Sequence, residues 1–220
     1  MSIGRMPEPA AAPARWPRRG LYAITDGPRA DLCDAARAAL EGGAALLQYR
    51  DKTHARDRRL REARALAELC RQYGVPLIVN DDVEMTLGAG AAGLHLGEDD
   101  PDINEARSML GAAAIIGVSC YDSLERAHGA AAAGADYLAF GAFFPTTSKT
   151  VTRRATPELL RESGQFGLPR VAIGGITPDN GGSLIAAGAD FLAAISGVFG
   201  TSDIRAAARR YVRLFGTDRS

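Results

Sequence analysis

Aromatic side chains are scarce in this 220-residue chain, with one Trp, six Tyr and seven Phe making up 6% of it. A large core must therefore be assembled mainly from Ala, Val, Ile and Leu. Cysteine is scarcer still. Cys33, Cys70 and Cys120 are odd in number and far apart, which excludes a disulfide framework or a cysteine zinc cluster and points to a reducing cytoplasm. Neither sign of charge is in excess: 26 basic and 26 acidic residues give a formal net charge of zero. That removes the electrostatic case for nucleic acid or an anionic membrane as partner. No apolar run is long enough to span a bilayer. Residues 1–18 are rich in Pro, Ala and Arg but lack the hydrophobic stretch of a signal peptide, so a flexible arm is expected there.

What is present from Gly20 onward is a recurring unit of short apolar run, polar cluster, Ala-rich amphipathic stretch and Gly. The apolar runs are Leu21–Thr25, Ala44–Gln48, Pro76–Asn80, Gly93–Leu96, Ile115–Ser119, Tyr137–Phe140, Arg170–Ile173 and Phe191–Ile195. Helices are predicted over Asp31–Glu41, Arg56–Tyr73, Asp82–Ala89, Asp102–Leu110, Ser123–Ala133, Thr156–Ser163, Thr177–Ala187 and Ser202–Phe215. Apolar strands alternating with helices indicate a parallel sheet covered on both faces. Eight units predict an α/β fold, a single (β/α)8 TIM barrel over residues 19–217 with a flexible N-terminal arm over 1–18. Four Gly-Ala pairs, at Gly43, Gly90, Gly134 and Gly188, precede strands, and Gly there would end the preceding helix in a left-handed conformation. The rival is an open doubly wound sheet, but its Gly-rich fingerprint is missing after the first strand, where Asp26-Gly27-Pro28 stands.

In such a barrel the active site lies at the C-terminal ends of the strands, and these ends are polar. Strand two ends in Gln48-Tyr49-Arg50-Asp51-Lys52. Alternate residues of an extended chain share a face, so Gln48, Arg50 and Lys52 leave together, as an oxyanion-rich ligand such as a diphosphate requires. Asp81 and Asp100 follow adjacent strands. Two carboxylates beside a diphosphate call for a cation, and Mg2+ is commonly held by one or two carboxylates plus phosphates and water. Asp82 and Asp102 are placed to cap the next helices instead. Gly174-Gly175-Ile176 opens helix seven and Ser196-Gly197 opens the segment before helix eight, which suits a phosphate site built from backbone N–H groups. Thr146-Thr147-Ser148-Lys149 lies in the longest strand-to-helix loop, either as an oxyanion-gripping lid or as a plain polar loop. His95 reads as a core histidine facing the barrel or the helix layer, His54 and His128 as surface residues, and Cys120 as an inert neighbour of the site. Nothing resembles a nucleophile with its base.

These motifs carry a resemblance. Gln48-Tyr49-Arg50-Asp51-Lys52, Asn80-Asp81, Gly93 to Asp100, Ile116-Gly117-Val118-Ser119, Pro145 to Lys149 and Ile173-Gly174-Gly175-Ile176 resemble, in order, the motifs of the thiamine phosphate synthase family. The resemblance implies a Mg2+-dependent transferase that joins 4-amino-2-methyl-5-hydroxymethylpyrimidine diphosphate to hydroxyethylthiazole phosphate, releasing diphosphate. It implies that Gln48, Arg50, Lys52, Asn80, Ser119 and Lys149 hold the pyrimidine diphosphate, with Arg50, Lys52, Ser119 and Lys149 as the catalytic set. Asp81 and Asp100 would bind the metal. Thr146, Thr147, Ser148, Gly175, Ile195 and Ser196 would contact the thiazole phosphate. Partners are then small molecules, without nucleic acid or membrane; a homo-oligomer is compatible with the sequence. Glu98, Cys120-Tyr121 and Ser148 depart from the family pattern and bear on substrate contacts. The rivals are a thiazole tautomerase of the same family, which has no use for the metal and diphosphate residues, and a non-catalytic phosphate-ligand-binding barrel.

Overall fold

A computed structural model of the chain describes residues 17, 19–146 and 153–216. Eight parallel strands close into a barrel in sequence order. They are β1 (Gly20–Ile24), β2 (Leu46–Tyr49), β3 (Leu77–Asn80), β4 (Gly93–Leu96), β5 (Ile115–Tyr121), β6 (Tyr137–Gly141), β7 (Arg170–Ile173) and β8 (Phe191–Ala194). The helices between and after them are α1 (Leu32–Glu41), α2 (Arg56–Tyr73), α3 (Val83–Ala89), α4 (Ile103–Leu110), α5 (Leu124–Ala132), α6 (Pro157–Glu162), α7 (Gly181–Ala186), α8 (Ser196–Phe199) and α9 (Ile204–Arg213). The predicted (β/α)8 architecture is the one observed.

The Gly-Ala repeat has one structural meaning in all four copies. Gly43, Gly90, Gly134 and Gly188 have φ of 94°, 64°, 88° and 108°, a region open to Gly without penalty. The following Ala44, Ala91, Ala135 and Ala189 donate back to Ala39, Thr86, Ala130 and Leu184 of the ended helix, the closing bond of a Schellman-type terminus. One residue later Ala45, Ala92, Asp136 and Asp190 donate to the neighbouring strand at Leu21, Leu77, Ile116 and Arg170, at 2.8, 2.9, 2.7 and 2.8 Å. Each repeat thus stops a helix and enters the barrel in three residues. This also explains why β2 starts at Leu46 rather than Ala44: the two alanines are consumed by the turn.

Strand alternation sorts the core into two layers. Leu21, Ala23, Leu47, Val79, Leu94, Ile116, Leu138, Phe140, Ala172 and Leu192 pack outward against the helices. Tyr22, Ile24, Leu46, Ile78, Ile115, Tyr137, Val171 and Phe191 fill the lumen. Cys120 belongs to the outer layer, and burial pushes its thiol up to about 12, so it is unreactive as expected. Gly117 faces inward because a β-carbon there would overlap the Tyr137 ring, which lies across it from the next strand. Gly117→Ala should therefore force Tyr137 aside and cost about 1–3 kcal/mol, the usual size of an overpacking defect. A thermal midpoint unchanged within 1 °C would refute this.

Helix seven starts later than predicted. Asn180 accepts the Thr177 N–H at Oδ1 (2.8 Å) and donates from Nδ2 to the Gly175 carbonyl (3.1 Å). These side-chain bonds replace a first helical turn, so α7 opens at Gly181 and Gly174-Gly175-Ile176 forms a turn rather than a helix start. The two glycines have φ of 101° and 62°. Asp82 and Asp102 cap α3 and α4 as expected, accepting the Met85 and Asn104 N–H groups at 2.8 Å each.

Candidate active site

Strand alternation at the end of β2 decides where its charges go. Gln48, Arg50 and Lys52 line a cavity of about 440 Å³ at the C-terminal mouth of the barrel. Tyr49 and Asp51 turn the other way. The Tyr49 hydroxyl donates to Glu62 at 2.7 Å, and Asp51 accepts from Arg58 at 2.7 Å and from the Thr53 N–H at 2.8 Å. Buried Thr25 clamps the chain between them, accepting the Arg50 N–H at 2.8 Å and donating to the Arg50 carbonyl at 3.1 Å. The Arg50 guanidinium itself makes no hydrogen bond or ion pair among the described residues. The outward Arg58 is tied to two carboxylates, so the contrast is one of orientation rather than of composition.

Lys52 is ion-paired with Asp81, and Asp81 and Asp100 line the same cavity. Asp81 sits in the left-handed region at φ 64°, which Asp tolerates better than most residues. Its N–H donates to the His95 carbonyl at 2.9 Å. Burial pushes the Asp81 carboxyl up, but its interactions with Lys52 and Asp100 outweigh this and the net shift is downward. Burial and the adjacent Asp81 push Asp100 upward, although the Gly97 N–H bonded to it acts in the opposite sense. Two carboxyls held together, with one inclined to keep its proton, form a hard-oxygen site short of positive charge. Among the described residues no group of three or more His, Cys, Asp and Glu could hold a metal. A cation here would have two carboxylates and complete its shell from a ligand and water, as magnesium does on phosphates.

The rim is built from β4 and β5. A register shift between Ser119 and Tyr121 re-aims the strand end, and Tyr121 takes φ 56°. Bulges of this kind redirect side chains beside functional sites. Tyr121 lines the cavity, with the Arg153 guanidinium 4.9 Å and that of Arg126 5.7 Å from its ring centre. Arg153 also pairs with Glu98 at 3.1 Å. Arg126 donates to the Ser119 carbonyl at 2.7 Å and the Gly97 carbonyl at 2.8 Å, pinning both strand ends.

The floor is polar. Gln48, Tyr22, Tyr137, His95 and Ser119 are hydrogen-bonded in series. His95 therefore faces the lumen, not the helix layer. Burial pulls its imidazole down to about 4, so the ring is neutral at neutral pH.

Of the residues named from sequence, Gln48, Arg50, Lys52, Asn80, Asp81, Asp100, Ser119, Thr146 and Ile195 line this one cavity. Gly175 and Ser196 are chain neighbours of its lining residues Gly174 and Ile195 rather than part of the lining. A β-carbon on Gly175 would meet Phe144 and Pro145. Its small size therefore serves the close approach of the segment after β6. Thr147, Ser148 and Lys149 lie outside the described residues. The sequence does not mark Tyr22 as a site residue, leaves His95 open between the barrel and the helix layer, marks Tyr121 only as a departure from the family pattern, and does not single out Arg153. Parity groups Tyr22 with Ile24 and His95 with Gly93 on one strand face each, and barrel closure makes that face the lumen.

Residues 21–198 match the model of the family described as thiamine monophosphate synthase. The chain belongs to that family. A thiamine-phosphate synthase of Xanthomonas campestris pv. campestris is 54% identical over 195 residues, covering 88% of this chain and 94% of that protein. One from Nitrosococcus oceani is 52% identical over 201 residues, covering 90% and 93%. The solved thiamine phosphate pyrophosphorylase of Pyrococcus furiosus superposes with a TM-score of 0.81 at 36% identity, over 90% of this chain and 96% of that one. Glu98 and Tyr121, the positions expected to depart from the family pattern, are linked rather than independent: Arg153 contacts both.

Proposed function

We infer that this chain is a transferase that condenses 4-amino-2-methyl-5-hydroxymethylpyrimidine diphosphate with hydroxyethylthiazole phosphate, giving thiamine phosphate and diphosphate. The observation that carries this reading, beside family membership, is Arg50. An unpaired guanidinium shares one cavity with Lys52 and a crowded carboxylate pair, as departure of a polyanion requires. Arg50, Lys52 and Lys149 hold the diphosphate and oppose the charge that grows on it as its carbon–oxygen bond breaks. Asp81 and Asp100 would hold Mg2+, which when bound supplies further positive charge to the phosphate oxygens. Gln48, Asn80 and Ser119 orient the aminopyrimidine, whose amine stabilises the benzylic-type cation left behind. Thr146, Thr147, Ser148, Gly175, Ile195 and Ser196 seat the thiazole phosphate so that the thiazole nitrogen faces that carbon. No base or nucleophile from the protein is consumed; the work is positioning and charge neutralisation.

The tautomerase alternative has no use for Lys52, Asp81, Asp100 and Lys149 together, and a ligand sensor has no use for the carboxylate pair. In this reading the enzyme is cytoplasmic, its buried Cys70 and Cys120 reduced. No helix among the described residues is long and apolar enough to cross a membrane. The catalytic unit is residues 19–217, and a chain lacking residues 1–15 should turn over at the full rate. The direct test mixes both substrates with Mg2+ and follows thiamine phosphate and diphosphate. Equal amounts of the two products are expected. Diphosphate without thiamine phosphate, or no turnover at all, would remove the assignment.

A further inference from the structure

The series of polar groups across the floor has a direction. Gln48 Nε2 donates to the Tyr22 hydroxyl at 2.8 Å. Tyr22 lies 2.8 Å from the Tyr137 hydroxyl, Tyr137 2.9 Å from His95 Nδ1, and His95 Nε2 2.9 Å from Ser119 Oγ. With Tyr22 accepting from Gln48, its own proton goes to Tyr137. Tyr137 then donates to Nδ1, which leaves the ring proton of neutral His95 on Nε2 and directed at Ser119. Ser119 has accepted its bond from below, so its hydroxyl proton is available to the cavity it lines. Gln48 commits one of its two amide N–H donors below, and Oε1 has no hydrogen-bond partner among the described residues. The series runs from β2 to β1, across the lumen to β6, back to β4 and on to β5. It therefore couples two walls of the site three strands apart.

Resting on the function inferred above, we propose that Tyr22, Tyr137 and His95 are positioning residues that impose one hydrogen-bond polarity on the cavity floor, an acceptor at Gln48 Oε1 and a donor at the Ser119 hydroxyl, and thereby select an amino-substituted pyrimidine over its oxo counterpart. An aminopyrimidine offers N–H from its amine and a lone pair from the adjacent ring nitrogen. The oxo analogue, with its N–H tautomer, offers the reverse. Reversing the floor to suit it requires an amide flip, two hydroxyl rotations and the other imidazole tautomer together, because the groups polarise one another in series. A site built to hydrogen-bond one pattern rejects a mismatched ligand strongly, since its buried groups are left unpaired. Accepting from the amine also strengthens electron release into the ring as diphosphate leaves, an interaction that grows toward the transition state.

The test has two arms. In the free wild-type protein labelled with 15N-histidine, NMR should find His95 as the neutral Nε2–H tautomer. In Tyr22→Phe and Tyr137→Phe the Nδ1–H tautomer should become populated. Kinetically, each variant should lower the ratio of kcat/KM for the 4-amino over the 4-oxo pyrimidine diphosphate at least tenfold, with KM for the thiazole phosphate within twofold of wild type. Combining Tyr137→Phe with Ser119→Ala should cost no more than the larger single effect, as members of one series are not additive. A wild-type Nδ1–H tautomer, an unchanged preference ratio, or equal losses on both analogues would overturn the proposal. Should the wild type make no thiamine phosphate, the functional reading fails by itself. The tautomer, and calorimetric binding of the two pyrimidine diphosphates, would still decide the role of the series.

Discussion

Arg50→Ala should lower kcat/KM for the pyrimidine diphosphate by about 10²–10³, the range seen when one preorganised group facing developing charge is deleted. The KM for the thiazole phosphate should stay within twofold. The physical reason is the isolation of this guanidinium. Other arginines among the described residues are held by carboxylates, as Arg58 is by Asp51 and Glu62. Arg50 is fixed through its backbone by Thr25 but has no anion of its own among the described residues. On the proposed function, the partner of this cation arrives with the ligand. For the same reason the variant should not lose stability, since no native ion pair is broken. Arg50→Lys should recover part of the rate, because charge is kept while the two-pronged geometry is lost. Steady-state kinetics with each substrate varied in turn, alongside thermal unfolding, separate these outcomes. A loss under threefold would show that Arg50 does not face the leaving group.

Much of this arrangement is legible in the sequence, for a physical reason. Period-two alternation along a strand is local information. The inward aim of Gln48, Arg50 and Lys52 and the outward aim of Tyr49 and Asp51 follow from it. Gly-Ala before a strand is local too, and it marked four helix ends correctly. The capping roles of Asp82 and Asp102 were separable from the remaining carboxylates because capping fixes a residue's position relative to the next helix. What was not legible depends on partners distant in sequence. Asn180 delays α7 by binding Thr177 and Gly175, which competes with a helix that the pattern alone favours. Tyr22 and Tyr137 read as ordinary core aromatics. Their hydroxyls acquire meaning only when closure of the barrel brings residues 115 positions apart within 2.8 Å. His95 carried the same ambiguity: its parity placed it with Gly93 on one face, but which face was lumen required the closed sheet. The Tyr121 rim depends on a register shift that no residue type announces.

Asp81→Asn and Asp100→Asn should both reduce turnover about 10²–10³-fold, yet move stability in different directions. Asparagine rather than alanine is the informative replacement, because Asp81 occupies the left-handed region and Asn accepts it. The Asp81 carboxyl is shifted downward, burial being outweighed by Lys52 and Asp100. A carboxyl depressed in the folded state stabilises above its unfolded pKa, and that contribution is lost as pH falls through the folded value. Asp81→Asn should therefore lower the thermal midpoint at neutral pH. Asp100 is shifted upward by burial and by Asp81. A raised carboxyl stabilises at low pH and loses that contribution as pH climbs through its folded pKa, so at neutral pH its charge is a liability without a cation. Asp100→Asn removes that liability, and its amide oxygen can still accept the Gly97 N–H. Its midpoint without divalent ions should equal or exceed that of the wild type, a stability gain set against a loss of function. On the proposed cation site, the same shift would set the pH dependence of Mg2+ binding. Because ligand carboxyls must shed their protons to coordinate, wild-type affinity for Mg2+ should rise with pH until Asp100 is ionised and then level off. Calorimetric titration of Mg2+ from pH 4 to pH 8 should show that rise in the wild type and a flattened profile in Asp100→Asn. A midpoint lowered equally by both substitutions, or identical Mg2+ profiles, would mean that the two carboxyls do not form one cation site.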